Sequence, residues 1–212
     1  MHSIKELIMN DQEQIQNQEQ QKPENKGGRY ALKRFFTAKR MALMAVFVAL
    51  SYVVSLFDFP IFPATPFLKL DFGNVFILLI SFLLGPIEGV VVCALKETLR
   101  MIGSSSGGVG EIANVCATCA YILLPSVVYR FKKGIKWVAV CLVAACLIGT
   151  GAALITNRFI TFPLYMGDGA AAVFKDVFWF IVAFNLIKTA AVGLITFLLY
   201  KRLSVFLKKM KI

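Results

Sequence analysis

The sequence predicts an all-α integral membrane protein with six transmembrane helices and both termini in the cytoplasm. Three observations predict it. Of the 212 residues, 58% are hydrophobic and only 17% charged, and the mean hydropathy is +0.72; a soluble domain is far more polar. Apolar runs recur at about 41–57, 70–84, 87–102, 112–129, 137–156 and 177–200. The basic residues gather between alternate runs, as they do in chains that cross a bilayer repeatedly.

Residues 1–28 stand outside this pattern. They are rich in Gln, Glu and Asn, end in Gly27-Gly28, and lack the basic-then-apolar order of a cleavable signal peptide. They read as a disordered cytoplasmic tail, with residues 29–212 forming the membrane domain. Before the first run come Arg29, Lys33, Arg34, Lys39 and Arg40. Within it, Ala42, Ala45 and Ala49 form a small-residue face that allows a close helix approach, either inside the protein or to a partner.

The 58–71 connection, DFPIFPATPFLKLD, holds Pro60, Pro63 and Pro66 together with Phe59, Phe62 and Phe67, and Phe72 follows at once. A plain connector is shorter and more polar. This one is stiff and aromatic enough to close over an apolar ligand, or to form an interfacial aromatic belt. The second and third runs are short for full spans, which need ~20 residues. Gly85-Pro86 divides them, and proline there breaks a helix.

Charge parity sets the number of crossings. Arg130, Lys132, Lys133 and Lys136 lie between the fourth and fifth runs, and Lys201, Arg202, Lys208, Lys209 and Lys211 follow the sixth. The opposite connections, near 58–71, 103–110 and 158–176, contain only Lys69, Arg158 and Lys175. The positive-inside rule then requires 70–102 to cross twice.

The net charge of +11 does not indicate nucleic acid, because the charges flank apolar runs instead of interleaving with aromatics on one surface. Cys93, Cys116, Cys119, Cys141 and Cys146 all lie inside apolar runs and read as buried hydrophobes. Cys116 and Cys119 have a zinc-like spacing without a second pair, and the one histidine, His2, is in the tail, so no metal site is expected. There is no phosphate-binding loop, so the chain is not expected to hydrolyse ATP, and no nucleophile elbow or zinc-protease motif, so no catalytic residue is assigned.

The sixth run carries the main chemical signal. In VFWFIVAFNLIKTAAVGLITFLLY the strongly polar residues are Asn185 and Lys188, three apart and therefore on one helix face. An ammonium at that depth costs ~3 kcal/mol or more unless it faces a cavity or a partner. Glu111 and Asn114 repeat the spacing at the start of the fourth helix, and Asn157 and Arg158 end the fifth just before ITFPLY. In the six-span topology these groups converge on a pocket opening outward; separately, each asparagine could simply tie helices together. An amide offers a donor beside an acceptor, matching an imide edge, and lysine supplies donors to carbonyl oxygens. Phe72, Phe159, Phe162, Tyr165 and Trp179 offer stacking surfaces for a planar heteroaromatic ligand.

These residues carry a resemblance. The first-helix alanines, FPATPFLKLDF at 62–72, LLGPIEG at 83–89, GGVGEIAN at 107–114, NRFITFPLY at 157–165 and NLIK at 185–188 resemble the substrate-binding S components of energy-coupling factor (ECF) vitamin transporters, most closely the riboflavin-specific group. The resemblance covers about residues 38–205. It implies the six-helix S-component fold in a bacterial plasma membrane, binding riboflavin or a close flavin such as FMN from outside. The implied partners are a transmembrane scaffold subunit (EcfT) and two ATPase subunits that bind the ATP, the chain itself having no cofactor and no enzymatic activity. The S component is thought to topple in the membrane to release its ligand. Carried over, ligand contacts fall on Glu111, Asn157, Asn185, Lys188 and the Ala64-Thr65 backbone, and scaffold docking on Ala45 and Ala49. Adding the groups read from the residues themselves, the expected site comprises Ala64, Thr65, Phe72, Glu111, Asn114, Asn157, Tyr165, Asn185 and Lys188, and the docking face Ala42, Ala45 and Ala49. One departure stands out: riboflavin members often continue Asp-Phe with Ser-Asp and then proline, whereas here Asp71-Phe72 is followed by Gly73-Asn74-Val75. The alternatives are an S component for another vitamin, or a stand-alone membrane protein in which Lys188 is structural or catalytic.

Overall fold

Gly85 has φ +139°, a conformation that L side chains rarely adopt, and Pro86 opens the next helix in its first turn, where its missing N–H removes nothing. The 70–102 region is therefore two helices, α2 (Gly73–Leu83) and α3 (Pro86–Met101). The structure, a computed structural model, describes residues 37–104, 107–132 and 134–209. The expected tail at 1–28 lies outside them, as do Arg29, Lys33, Arg34, Lys133 and Lys211. The chain divides into units 1–41 and 42–212; of the first, the described residues are 37–41, where α1 (Ala38–Ser55) begins.

The remaining elements are β1 (Phe59–Pro60), β2 (Lys69–Leu70), α4 (Val109–Phe131), α5 (Ile135–Thr156), a π-helical turn (Asn157–Thr161), α6 (Phe162–Met166), a 3-10 turn (Gly167–Gly169) and α7 (Ala170–Lys209). Helices thus occupy every apolar run. Among the described residues, three stretches are long and apolar enough to cross a membrane: Ala38–Ser55, Val109–Phe131 and Lys136–Leu199, the last running through the π turn and α6 into α7.

The innermost element is α2, which packs on α3, α4 and α7. Ile77, Leu78 and Ile80 are completely buried and Val75 and Leu79 nearly so. A helix that is apolar around its whole circumference suits that position. Two glycines permit the approach of its neighbours. A Cβ on Gly73 would lie 2.5 Å from the Ser51 carbonyl oxygen of α1, and a Cβ on Gly89 would lie 2.5 Å from Ser81 Cβ of α2. In place of that Cβ, Ser51 Oγ donates to the Gly73 carbonyl at 2.8 Å.

The 58–71 segment differs from a plain loop. Its ends zip into a two-residue antiparallel ladder, Phe59 opposite Leu70 and Pro60 opposite Lys69. Leu68 and Leu70 bury themselves with Phe162, Ala170, Ile181 and Phe184, and Phe62 and Phe72 pack against the same cluster. Edge-to-face rings reinforce it, Phe62 on Phe180 at 5.6 Å and Phe67 on Phe162 at 6.0 Å between centroids.

The fifth helix also differs from expectation. It does not end at Asn157-Arg158. Pro163 lacks the N–H of a regular i→i−4 bond, and the backbone shifts to a π register just before it, with the Phe162 N–H reaching the Asn157 carbonyl. Helix then resumes through Met166 and breaks at Gly167, φ +53°. Most of the expected 158–176 connection is accordingly helical.

Candidate functional site

Lys188 and Asn185 share a face of α7, as their spacing requires, and both are buried. They line a pocket with Asn74 of α2, Asn114, Ala117, Thr118 and Tyr121 of α4, Gly149 of α5, and Thr189 and Val192 of α7. It is a narrow recess, with about 310 Å³ of empty space only when the solvent at its open mouth is counted. One wall is fixed by Asn74 Nδ2 donating to Thr118 Oγ1 at 2.9 Å. Two turns further along α4 from Asn114, Tyr121 Oη donates to the Thr189 carbonyl at 3.0 Å.

The Lys188 ammonium is held by two acceptors, Asp71 Oδ2 and Asn114 Oδ1, each at 3.0 Å. Asp71 is itself shared: Oδ1 lies 3.5 Å from Lys96 Nζ of α3 and accepts from the Gly73 N–H at 3.1 Å. Lys96, completely buried, donates to Glu97 Oε1 at 2.6 Å, and Asn114 Nδ2 donates to the same Glu97 oxygen. Two ammonium groups and two carboxylates thus form one charge-balanced cluster joining α3, α4, α7 and the end of the 58–71 segment. Buried charges persist when they are paired and hydrogen-bonded in this way.

The other end of that segment is tied to α3 as well. Arg100 donates from Nη2 to Asp58 Oδ2 and from Nη1 to the Ser55 carbonyl, both at 2.7 Å. Lys96 and Arg100 are four residues apart and occupy one face of α3.

The chain has counterparts among known proteins. A family described as "ECF transporter, substrate-specific component" matches residues 39–200. The chain belongs to this family.

Among its similar proteins is one named riboflavin transporter RibU of Staphylococcus aureus (strain TCH60), 32% identical over 176 residues, which are 81% of this chain and 93% of that protein. Another, named riboflavin transporter FmnP of Bacillus subtilis (strain 168), is 27% identical over 183 residues, 82% and 96% of the two chains. A solved structure described as "Structure and mechanism of the S component of a bacterial ECF transporter" matches with a TM-score of 0.71 at 32% identity, over 80% of this chain and 98% of that one. The resemblance read from the motifs is therefore correct. The substrate-specific component is a membrane protein of a transporter family.

Of the expected site residues, the structure brings Asn114, Asn185 and Lys188 together in the pocket. Glu111 is buried one turn earlier on α4 and its Oε2 accepts from Ser104 Oγ at 2.8 Å. Asn157 and Asn185 each turn an amide N–H back to their own helix, at the Ala153 and Ile181 carbonyls, 2.8 and 2.9 Å away. Phe72 packs with Phe162 in the apolar cluster below the 58–71 segment. Ala64 is exposed and Tyr165 is half exposed, while Thr65 is fully buried with no partner for Oγ1 among the described residues. Two offered stacking surfaces point elsewhere: Phe159 and Trp179 are 71% and 75% exposed, and the ring lining the pocket is that of Tyr121. Ala42, Ala45 and Ala49 are exposed along α1.

The counter-ion of Lys188 is Asp71. Asp71, Lys96 and Glu97 are not among the expected site residues, because the third run is apolar on average and Asp71 ends a connection. The signal was present, since Lys96-Glu97 is an adjacent ion pair well inside that run.

Proposed function

We propose that this chain is the subunit that captures riboflavin, or a close flavin such as FMN, from outside the cell and delivers it inward with an ATP-driven module. The observation that carries the reading is the buried Lys188 ammonium lining a pocket beside Asn114 and Asn185. Those groups supply the donors and acceptors that flavin carbonyls and an imide edge require, in a site dry enough to reject molecules lacking that edge. The names of the relatives agree with it.

In this reading the chain crosses a bacterial plasma membrane six times with both termini inside, which the basic clusters favour. The ligand is held by Ala64, Thr65, Phe72, Glu111, Asn114, Asn157, Tyr165, Asn185 and Lys188. Those that stand outside the present pocket approach when the mouth beneath the 58–71 segment widens around the ring system. The exposed alanine face at Ala42, Ala45 and Ala49 docks a transmembrane scaffold subunit, which couples to two ATPases. A riboflavin titration of the purified chain, followed by quenching of flavin fluorescence, tests this, with FMN and an unrelated vitamin as competitors. Saturable quenching supports it; a preparation that binds neither flavin would sink it.

A further inference from the structure

The pocket lysine begins with two of its three ammonium protons already taken. Asp71 and Asn114 both accept from Lys188 at 3.0 Å, so a ligand that takes more than the one remaining proton must draw the ammonium from a carboxylate that is only 4% exposed. A carboxylate abandoned at that depth is strongly disfavoured. The structure contains a second cation in position to prevent this. Lys96 Nζ lies 3.5 Å from the other oxygen of Asp71, and Lys96 is wholly buried with nowhere else to send its charge except Glu97. Glu97 in turn retains the Asn114 amide as a donor.

We propose that Lys96 is a positioning residue that takes over Asp71 when a bound carbonyl-bearing ligand draws the Lys188 ammonium away. The two lysines exchange one carboxylate between them, so the pocket gains a free donor while the Asp71 carboxylate keeps a cation beside it. Because Asp71 closes the 58–71 segment, the same exchange keeps that segment anchored to α3 while the ligand is held. The inference rests on the flavin reading of the pocket.

A double-mutant cycle tests it, with riboflavin titrated against wild type, Lys96→Met, Asp71→Asn and the combined variant, each first confirmed as a single folded species in detergent. Lys96→Met is expected to weaken binding by about tenfold or more, and Lys96→Arg to recover most of the loss. With Asp71→Asn the carboxylate that the two lysines exchange is gone, so adding Lys96→Met is expected to change affinity by less than about threefold. The combined variant keeps the charge balance of Glu97 with Lys188, so it remains informative even where Lys96→Met alone does not fold. An unchanged affinity in Lys96→Met, or an equal loss whether or not Asp71 is present, overturns the exchange while leaving the flavin site standing. A wild-type chain that binds no flavin overturns both.

Discussion

Lys188 Nζ and Asp71 Oδ2 lie 3.0 Å apart although 117 residues separate them in the chain. That bond ties the pocket wall to the end of the segment above it, and the contributions of the two partners can be tested separately.

Replacing Lys188 with alanine is expected to weaken riboflavin binding by roughly 10- to 100-fold, the loss of about 1.5–3 kcal/mol from hydrogen bonds made by a charged donor. The fold is expected to survive, because Lys96 remains beside Asp71. Fluorescence titration and a thermal melt on the same sample check both halves. A tight-binding Lys188→Ala chain would remove the site assignment.

Gly73→Ala tests the helix contact that positions Asp71. The added Cβ would sit 2.5 Å from the Ser51 carbonyl oxygen and 3.2 Å from Asp71 Oδ1, so either α1 or Asp71 must move. Overpacking of this kind costs about 1–3 kcal/mol. Melting should fall and flavin affinity with it; a variant as stable as wild type would show that α1 yields freely.

The α2–α3 break depends on Gly85. Its backbone, φ +139° and ψ 172°, belongs to a region used almost only by glycine, and an alanine there costs about 1–3 kcal/mol. Gly85→Ala is expected to lower thermal stability without changing how many flavins bind per chain, as read by titration of the surviving folded protein.

Arg100→Gln should loosen the start of the 58–71 segment by removing the bonds to Asp58 and the Ser55 carbonyl. Both charged side chains are mostly covered, at 20% and 15% exposed, so losing these charge-assisted bonds is expected to cost about 1–3 kcal/mol. Faster hydrogen exchange across 58–71 and a severalfold rise in the flavin off-rate are the expected readouts.

Ala45→Leu or Ala49→Leu should block assembly with the scaffold subunit while leaving flavin titration intact. Both alanines are exposed on α1, so the larger side chain meets no neighbour within the fold. Copurification with the partner subunits gives the result, and unimpaired assembly would move the docking face elsewhere.

How much of this was legible in the sequence depended on periodicity. Apolar runs located all the long helices, and the three-residue spacing of Asn185 and Lys188 put both in one pocket. The π register was not legible, because Pro163 looks like a helix stop until a shifted backbone bond carries the helix past it. Lys96, Glu97 and Asp71 were visible as residues, but their pairing across separate elements is a tertiary fact. Hydropathy averages such compensating charges into the surrounding run. Gly73 looked like a departure from a motif; the structure shows a steric requirement at Ser51.

Tyr121 sets a different kind of limit. Its hydroxyl is fixed to the Thr189 carbonyl, and a Cβ on Gly149 or Gly193 would lie only 3.0 Å from its Cβ or 2.9 Å from its Oη. The phenol is clamped between glycines of two neighbouring helices and cannot swing aside for a longer guest. Tyr121 therefore gives the pocket one wall without room to retreat, and a longer guest has to find its space along the rest of the lining.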